Sequence, residues 1–130
     1  MPNLTANINE HFIVLDGNKN ASTVPVGPTL YQDLDRDFAG FKGCELIAQY
    51  EFTSNWQSWE IHPQGDEIVM LLSGRVTLLL DRPQGEQKIP LSQPGDYVIV
   101  PKNTWHTAHT DTPTRLLFIT PGQDTGHKPA

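Results

Sequence analysis

From Gly43 to Thr120 the chain alternates short strand-forming runs with turn signals, and that rhythm leaves room for little except a β fold. The runs are Cys44–Phe52, Trp56–His62, Glu67–Ser73, Arg75–Asp81, Glu86–Leu91, Tyr97–Val100, Trp105–Thr110 and Thr114–Thr120. Pro63-Gln64-Gly65-Asp66, Ser73-Gly74, Pro83-Gln84-Gly85, Pro94-Gly95-Asp96, Lys102-Asn103 and Asp111-Thr112-Pro113 separate them. Such residues favour turns through fixed or positive φ and local side-chain hydrogen bonds. Gly74 suits a tight hairpin. Eight strands at this spacing predict an antiparallel sandwich or barrel.

The flanks read differently. Residues 1 to about 40 are polar and irregular, with apolar clusters at Phe12–Leu15 and Val24–Val26. Tyr31–Phe38 reads as one short helical turn, with Leu34 and Phe38 on one face. Asp33, Asp35 and Asp37 then fall on a solvated side and lack the Gly and distal Glu of a calcium loop. Residues 1–42 are expected to wrap against the main body. Those after Pro121 read as a loose tail with an exposed His127. The whole of 1–130 reads as one domain with a single core.

The net charge of -6 argues against nucleic acid, which needs a concentrated basic patch. The longest apolar runs, Ile68–Leu72 and Val76–Leu80, are too short for a membrane-spanning helix. Met1-Pro2-Asn3-Leu4-Thr5 shows no basic region or apolar core of a leader. Cys44, the single cysteine, has no disulfide or CxxC partner and reads as a small core residue. Together these features predict a cytoplasmic protein.

Against this apolar background, Glu60-Ile61-His62-Pro63-Gln64-Gly65-Asp66-Glu67 stands out, with His106 further on. Strand alternation puts Trp56, Ser58, Glu60 and His62 on one face and Trp59 and Ile61 on the other. Glu67 shares a face with Val69 and Leu71, and His106 with Ala108. Trp105, Thr107 and His109 point the opposite way. If these strands line one cavity, Glu60, His62, Glu67 and His106 converge inside it. Four titratable groups in an apolar interior need pairing or a cation. A divalent metal with two imidazoles and two carboxylates makes a locally neutral site. A metal-free hydrogen-bonded cluster is the alternative. Glu60 suits a metal ligand, a general acid or base, or a buried hydrogen-bond partner. Trp56 is read either as a core aromatic or as a wall of the cavity mouth. Trp59 and Trp105 are read as packing in the core or at a subunit contact.

These residues resemble the cupin family. Its first motif is matched by Glu60-x-His62, four residues, Glu67, six residues and Gly74. The second is matched by Gly95, five residues, Pro101, one residue, Asn103, two residues and His106. The likeness covers about residues 43–120. Glu60 stands where the family has its first metal-binding His, Ser54 replaces a Gly, Asn103 replaces a Gly and Thr110 replaces a closing Asn. The resemblance implies an antiparallel jelly-roll barrel, or double-stranded β-helix. It also implies a divalent ion, Mn, Fe, Ni or Zn, held by His62, Glu67 and His106 with Glu60 as the unusual fourth ligand. A carboxylate in that place favours oxygen-loving metals such as Mn²⁺ or Fe²⁺. Small cupins are often homodimers, so a homodimer is expected.

Two function classes remain open. One is a metal-dependent enzyme, of oxygenase or isomerase type, acting on a small polar molecule with Glu60 moving protons. The other is a non-catalytic module that binds a small molecule or metal as a sensor or store. No GxSxG elbow, phosphate-binding glycine loop or HExxH is present.

Overall fold

The computed structural model describes residues 5–130, so Met1–Leu4 of the N-terminal stretch, which shows no leader features in sequence, lie outside the described residues. Two antiparallel sheets form the body. The first contains β1 (His11–Leu15), β2 (Ala21–Pro25), β3 (Glu45–Phe52), β5 (Glu67–Ser73), β8 (Tyr97–Val100) and β10 (Thr114–Thr120), in the order β2-β1-β3-β10-β5-β8. The second contains β4 (Ser58–Ile61), β6 (Val76–Arg82), β7 (Gly85–Leu91), β9 (His106–His109) and β11 (Gly126–Pro129), in the order β11-β4-β9-β6-β7. This is the jelly-roll arrangement expected. Among the described residues no helix is long and apolar enough to cross a membrane.

Period-two patterning sets which residues face the other sheet. Val69 and Leu71 on β5 lie opposite Phe118 and Leu116 on β10, and all four are buried. They meet Leu78, Leu80 and Ala108 from the second sheet in one apolar cluster. The intervening residues of the first sheet face outward. There, cross-strand pairing aligns Ile13, Ile47, Ile119, Ile68 and Ile99 in one row across five strands. β-branched residues suit such a pleated, half-covered surface.

The flanks are more ordered than the sequence suggests. The apolar clusters of the N-terminal segment are β1 and β2, a hairpin closed by the Asp16 carboxylate. Its Oδ1 accepts from the backbone N–H of Asn18 and of Asn20, each at 2.9 Å. Helix α1 (Leu30–Asp37) is two turns rather than one, with Leu30 and Leu34 buried. They join Phe12, Val14, Phe41, Leu46, Ala48 and the buried Cys44 thiol in a second cluster. Residues beyond Pro121 are not a loose tail, because β11 pairs along β4 from Ser58 to Ile61. Trp59 and Trp105 do not enter the core. They lie half-buried beside Lys128, whose Nζ is 5.8 Å and 4.5 Å from their ring centres. Cation–π attraction gives β11 a hold on the outer face.

Gly74 does not close a hairpin. Its neighbours β5 and β6 belong to different sheets, so Ser73-Gly74-Arg75 is the corner that carries the chain between layers. The corner needs φ = +83° and brings the backbone so close to the next turn that a Cβ would lie 2.2 Å from the Pro113 carbonyl oxygen. The fully buried Thr114 hydroxyl ties the same corner by donating to the Arg75 carbonyl at 2.9 Å. Gly74→Ala therefore combines backbone strain with a steric overlap that neither strand end can relieve. It is expected to lower unfolding free energy by about 2–4 kcal/mol, read as a shifted urea midpoint at unchanged slope.

Candidate metal centre

The inward alternation of β5 places Glu67 one position below Val69, at the rim of the main apolar cluster. His106 opens β9, directly across from Glu60 of β4. His62 follows β4, where its carbonyl accepts from the Asn103 N–H at 3.0 Å. Asn103 takes φ = +62°, the left-handed conformation an Asn tolerates in place of a Gly. Pro63–Asp66 then crosses from the second sheet to the first, so His62 and Glu67 approach each other across the barrel rather than along a hairpin. The result is one group: ligand-type atoms of His62, Glu67 and His106 lie within 4.8 Å of one another. All three residues are at least 95% buried.

Hydrogen bonds behind the group fix the state of each ring. The Nδ1 of His106 lies 3.1 Å from the Thr104 carbonyl oxygen, which only accepts, so Nδ1 carries the proton. The Nδ1 of His62 lies 2.9 Å from the Thr125 hydroxyl. That hydroxyl donates its own proton to the Gly122 carbonyl at 2.9 Å, so it accepts from Nδ1–H. In the neutral form both rings therefore turn a bare Nε2 lone pair inward. Thr120 donates to Glu67 Oε2 at 2.6 Å and orients the carboxylate. Nε2 of His62, Nε2 of His106 and Oε1 of Glu67 are buried without a hydrogen-bond partner. The two Nε2 atoms lie only 3.3 Å and 3.0 Å from the Glu67 oxygens. Lone pairs facing a carboxylate at that range repel unless a cation sits among them. Outer partners that lock the tautomer and leave Nε2 free are the setting of metal-bound histidine.

With no metal, a proton is the available cation. Burial would raise the Glu67 carboxyl, but hydrogen bonds and charge from His106 and His62 outweigh it and hold it down at about 2. Burial lowers the His106 pKa, while the Glu67 carboxylate, the Thr104 carbonyl and the charge of Glu60 raise it further, for a net rise.

Glu60 stands apart from this trio. Its side chain is 29% exposed, and Oε1 lies 3.5 Å from Nε2 of the exposed His127. Both line a cavity of about 790 Å³ that opens from the His62–Glu67 end of the site. Trp56 also lines it, stacked edge-on with Phe52 at 5.8 Å and tilted against Phe118 at 5.9 Å. His109 is exposed on β9, and Asp33, Asp35 and Asp37 lie on the outward sides of α1. Sequence reading missed Thr104, Thr120 and Thr125, which hold the three central residues. It also missed Tyr31 and Tyr50, whose hydroxyls bond to each other at the cavity wall. No spacing rule marks a lone Thr as the partner of a distant His. The strand parity of Thr120, two positions beyond the inward Phe118, was the one available signal.

In metal-free protein the two shifts predict opposite limbs of a stability profile. Glu67 contributes stability that is present above its ordinary value of 4.5 and is lost as pH falls toward about 2. His106 contributes stability that is complete below 6.5 and is lost as pH rises through its raised folded value. Urea midpoints of the chelator-treated chain should therefore peak between these limits, and Glu67→Gln should flatten the profile.

Residues 51–120, more than half of the chain, match the family model described as Cupin domain. A comparison with curated proteins finds no match. Among solved structures, a cupin-2 domain containing protein from Shewanella frigidimarina NCIMB 400 is similar at 21% identity and TM-score 0.50, over 59% of this chain and 70% of that one. Hydroquinone 1,2-dioxygenase from Sphingomonas sp. TTNP3, with 4-hydroxybenzoate bound, is similar at 15% identity and TM-score 0.51, over 66% of this chain and 60% of that one. Oxalate decarboxylase from Bacillus subtilis, which has Mn(II) centres, is similar at 17% identity and TM-score 0.51, over 66% of this chain and 23% of that one. The chain thus spans less than two thirds of the length of either enzyme, and the three likenesses concern the fold. The family match, the two facing antiparallel sheets and the His62–Glu67–His106 group together establish that the chain belongs to the cupin family.

Proposed function

We propose that this cupin is a metal-dependent enzyme, of oxygenase or isomerase type, that holds one divalent cation at His62, Glu67 and His106. The observation that carries the reading is the set of three buried, unpartnered ligand atoms behind which both Nδ1 protons are fixed. Two imidazole nitrogens and one carboxylate oxygen fit Mn, Fe, Ni or Zn, and the two-His, one-carboxylate set favours Fe²⁺ or Mn²⁺. Such a set leaves coordination positions for a substrate. A cation bound there would act as a Lewis acid on an oxygen of the substrate.

The chain's own residues supply the rest. Trp56, Phe52 and Phe118 form a wall that orients the apolar part of a bound molecule and keeps water from it. Glu60 presents its carboxylate inside the cavity, where it receives or returns a proton of the bound molecule. His127, 3.5 Å away and 60% exposed, offers that proton a route to solvent. In this reading Glu60 is a proton-handling group and not a fourth ligand. The small molecule is further proposed to be handled by a cytoplasmic homodimer. The buried single cysteine and the outward isoleucine row support these two parts. Light scattering should then give twice the 14.5 kDa of one chain.

Metal titration of chelator-treated protein is expected to show one divalent ion per chain. His62→Ala or His106→Ala should abolish binding while circular dichroism stays that of a β fold. Thr125→Val, which removes only the acceptor behind His62, should weaken the metal by about 10–100-fold. Glu60→Gln should leave metal affinity nearly unchanged and slow turnover by about 10²–10⁴-fold. Loss of the metal from that variant would instead make Glu60 a ligand. Ligand stabilisation without turnover, in a screen of small carbonyl, phenolic and sugar compounds, would replace the enzyme by a binding module.

A further inference from the structure

The cavity carries a charge and shape signature of its own. Its interior wall is aromatic: Tyr50, Phe52, Trp56 and Phe118 form a connected series of ring contacts between 5.8 and 6.0 Å. Tyr31 extends the wall to the mouth. The ionisable lining is one-sided. Asp35, Glu51, Glu60, Glu67 and Asp124 contribute five carboxylates, whereas no Lys or Arg lines the cavity among the described residues. Among the described residues His62 and His127 are the only basic side chains there. Asp35, Glu51 and Asp124 are exposed at the mouth, so salt screens them and they act mainly on approach. Glu60 is more sheltered, and Glu67 is buried with an oxygen that has no hydrogen-bond partner. One divalent cation would leave this lining net negative.

Ring faces carry negative potential and attract cations, most strongly where water is excluded. Recognition of a carboxylate calls for an Arg fork, a Lys, a set of free backbone N–H groups or an open position on a bound cation. The cavity offers no such cationic side chain. We propose that the cavity selects a ligand with an apolar or aromatic body and a protonated amine, with Glu60 as the amine's counter-ion, and discriminates against small carboxylates. This rests on the proposed function for the site being a ligand-binding one. It narrows the substrate from a small polar molecule to an organic amine.

Isothermal titration with phenethylamine, 2-phenylethanol and phenylacetate tests it, because the three share a ring and size and differ in charge. The titrations use the full chain at pH 7, once metal-free and once loaded with Mn²⁺. In both forms the amine is expected to bind about tenfold tighter than the alcohol; the carboxylate should be weakest in the metal-free form and stay behind the amine with Mn²⁺. Added salt should narrow the lead of the amine. Glu60→Gln should weaken the amine much more than the alcohol and bring the two close together, with its melting temperature confirming the fold. If Glu60→Gln does not fold, the order of the three probes on the native chain decides alone. Equal or tighter binding of phenylacetate, or binding of none of the three, overturns the proposal. So does an amine preference that a folded Glu60→Gln retains in full. An amine preference in a chain that binds no metal would sustain this inference while refuting the metal centre. A carboxylate preference that appears only with Mn²⁺ would do the reverse.

Discussion

Three titratable side chains meet beside an apolar cluster of Val, Leu, Ala and Phe, and they require a positive charge among them. Two imidazole lone pairs and a carboxylate at 3.0–3.3 Å cannot be left facing one another in a medium of low dielectric. A proton on His106 meets the requirement in part, as the opposed pKa shifts of His106 and Glu67 show. A divalent ion meets it for all three donors at once. The surrounding structure is organised around this need. Three different segments fix the three residues: the Thr104 backbone carbonyl holds His106, the Thr120 hydroxyl holds Glu67 and the Thr125 hydroxyl holds His62.

The same constraint explains why the interior is divided. A continuous apolar core would bury the site in hydrocarbon and leave no path to it. Here one cluster, built on Val69, Leu71, Leu78 and Leu116, fills the far end of the barrel. The other, built on Phe12, Leu30, Leu34 and Leu46, anchors the N-terminal hairpin and helix to the first sheet. The cavity occupies the gap between them, with Phe118 of one cluster and Leu46 of the other in its wall. Stability and access are thus assigned to separate sets of residues. Substitutions deep in either cluster should act on folding, and those along Phe52, Trp56 and Glu60 on what the cavity accepts.

Much of this was legible in the sequence because strand alternation is strict. Reading every second residue put His62, Glu67 and His106 on inward faces, and the structure brings these three together. The rest depended on pairings that alternation does not encode. Gly74 reads as a hairpin turn from its local chemistry, yet only the partner strands reveal that it is a corner between sheets. The Asp16-Gly17 pair between two apolar clusters is a hairpin signal, obscured because polar residues dominate the surrounding segment. β11 has almost no strand propensity in Gly126-His127-Lys128-Pro129. It is held by pairing with β4 and by Lys128 beside Trp59 and Trp105, which are tertiary effects. Glu60 had the right parity for the trio, but its carboxylate turns toward His127, a residue that local reading left in a tail.

The placement of Thr125 and His127 has a consequence for how the protein comes into being. The segment Gly122–Pro129 follows all the other strands in the chain, yet it supplies the acceptor behind His62 and part of the cavity wall. Among the described residues the other ten strands of the two sheets all precede this segment and are synthesised before it. A chain ending at Thr120 would hold His62, Glu67 and His106 with one imidazole still free to choose its tautomer. Order at the centre therefore depends on the edge strand of the second sheet and the turn before it, so a chain can have every other described strand in place and still be chemically unfinished.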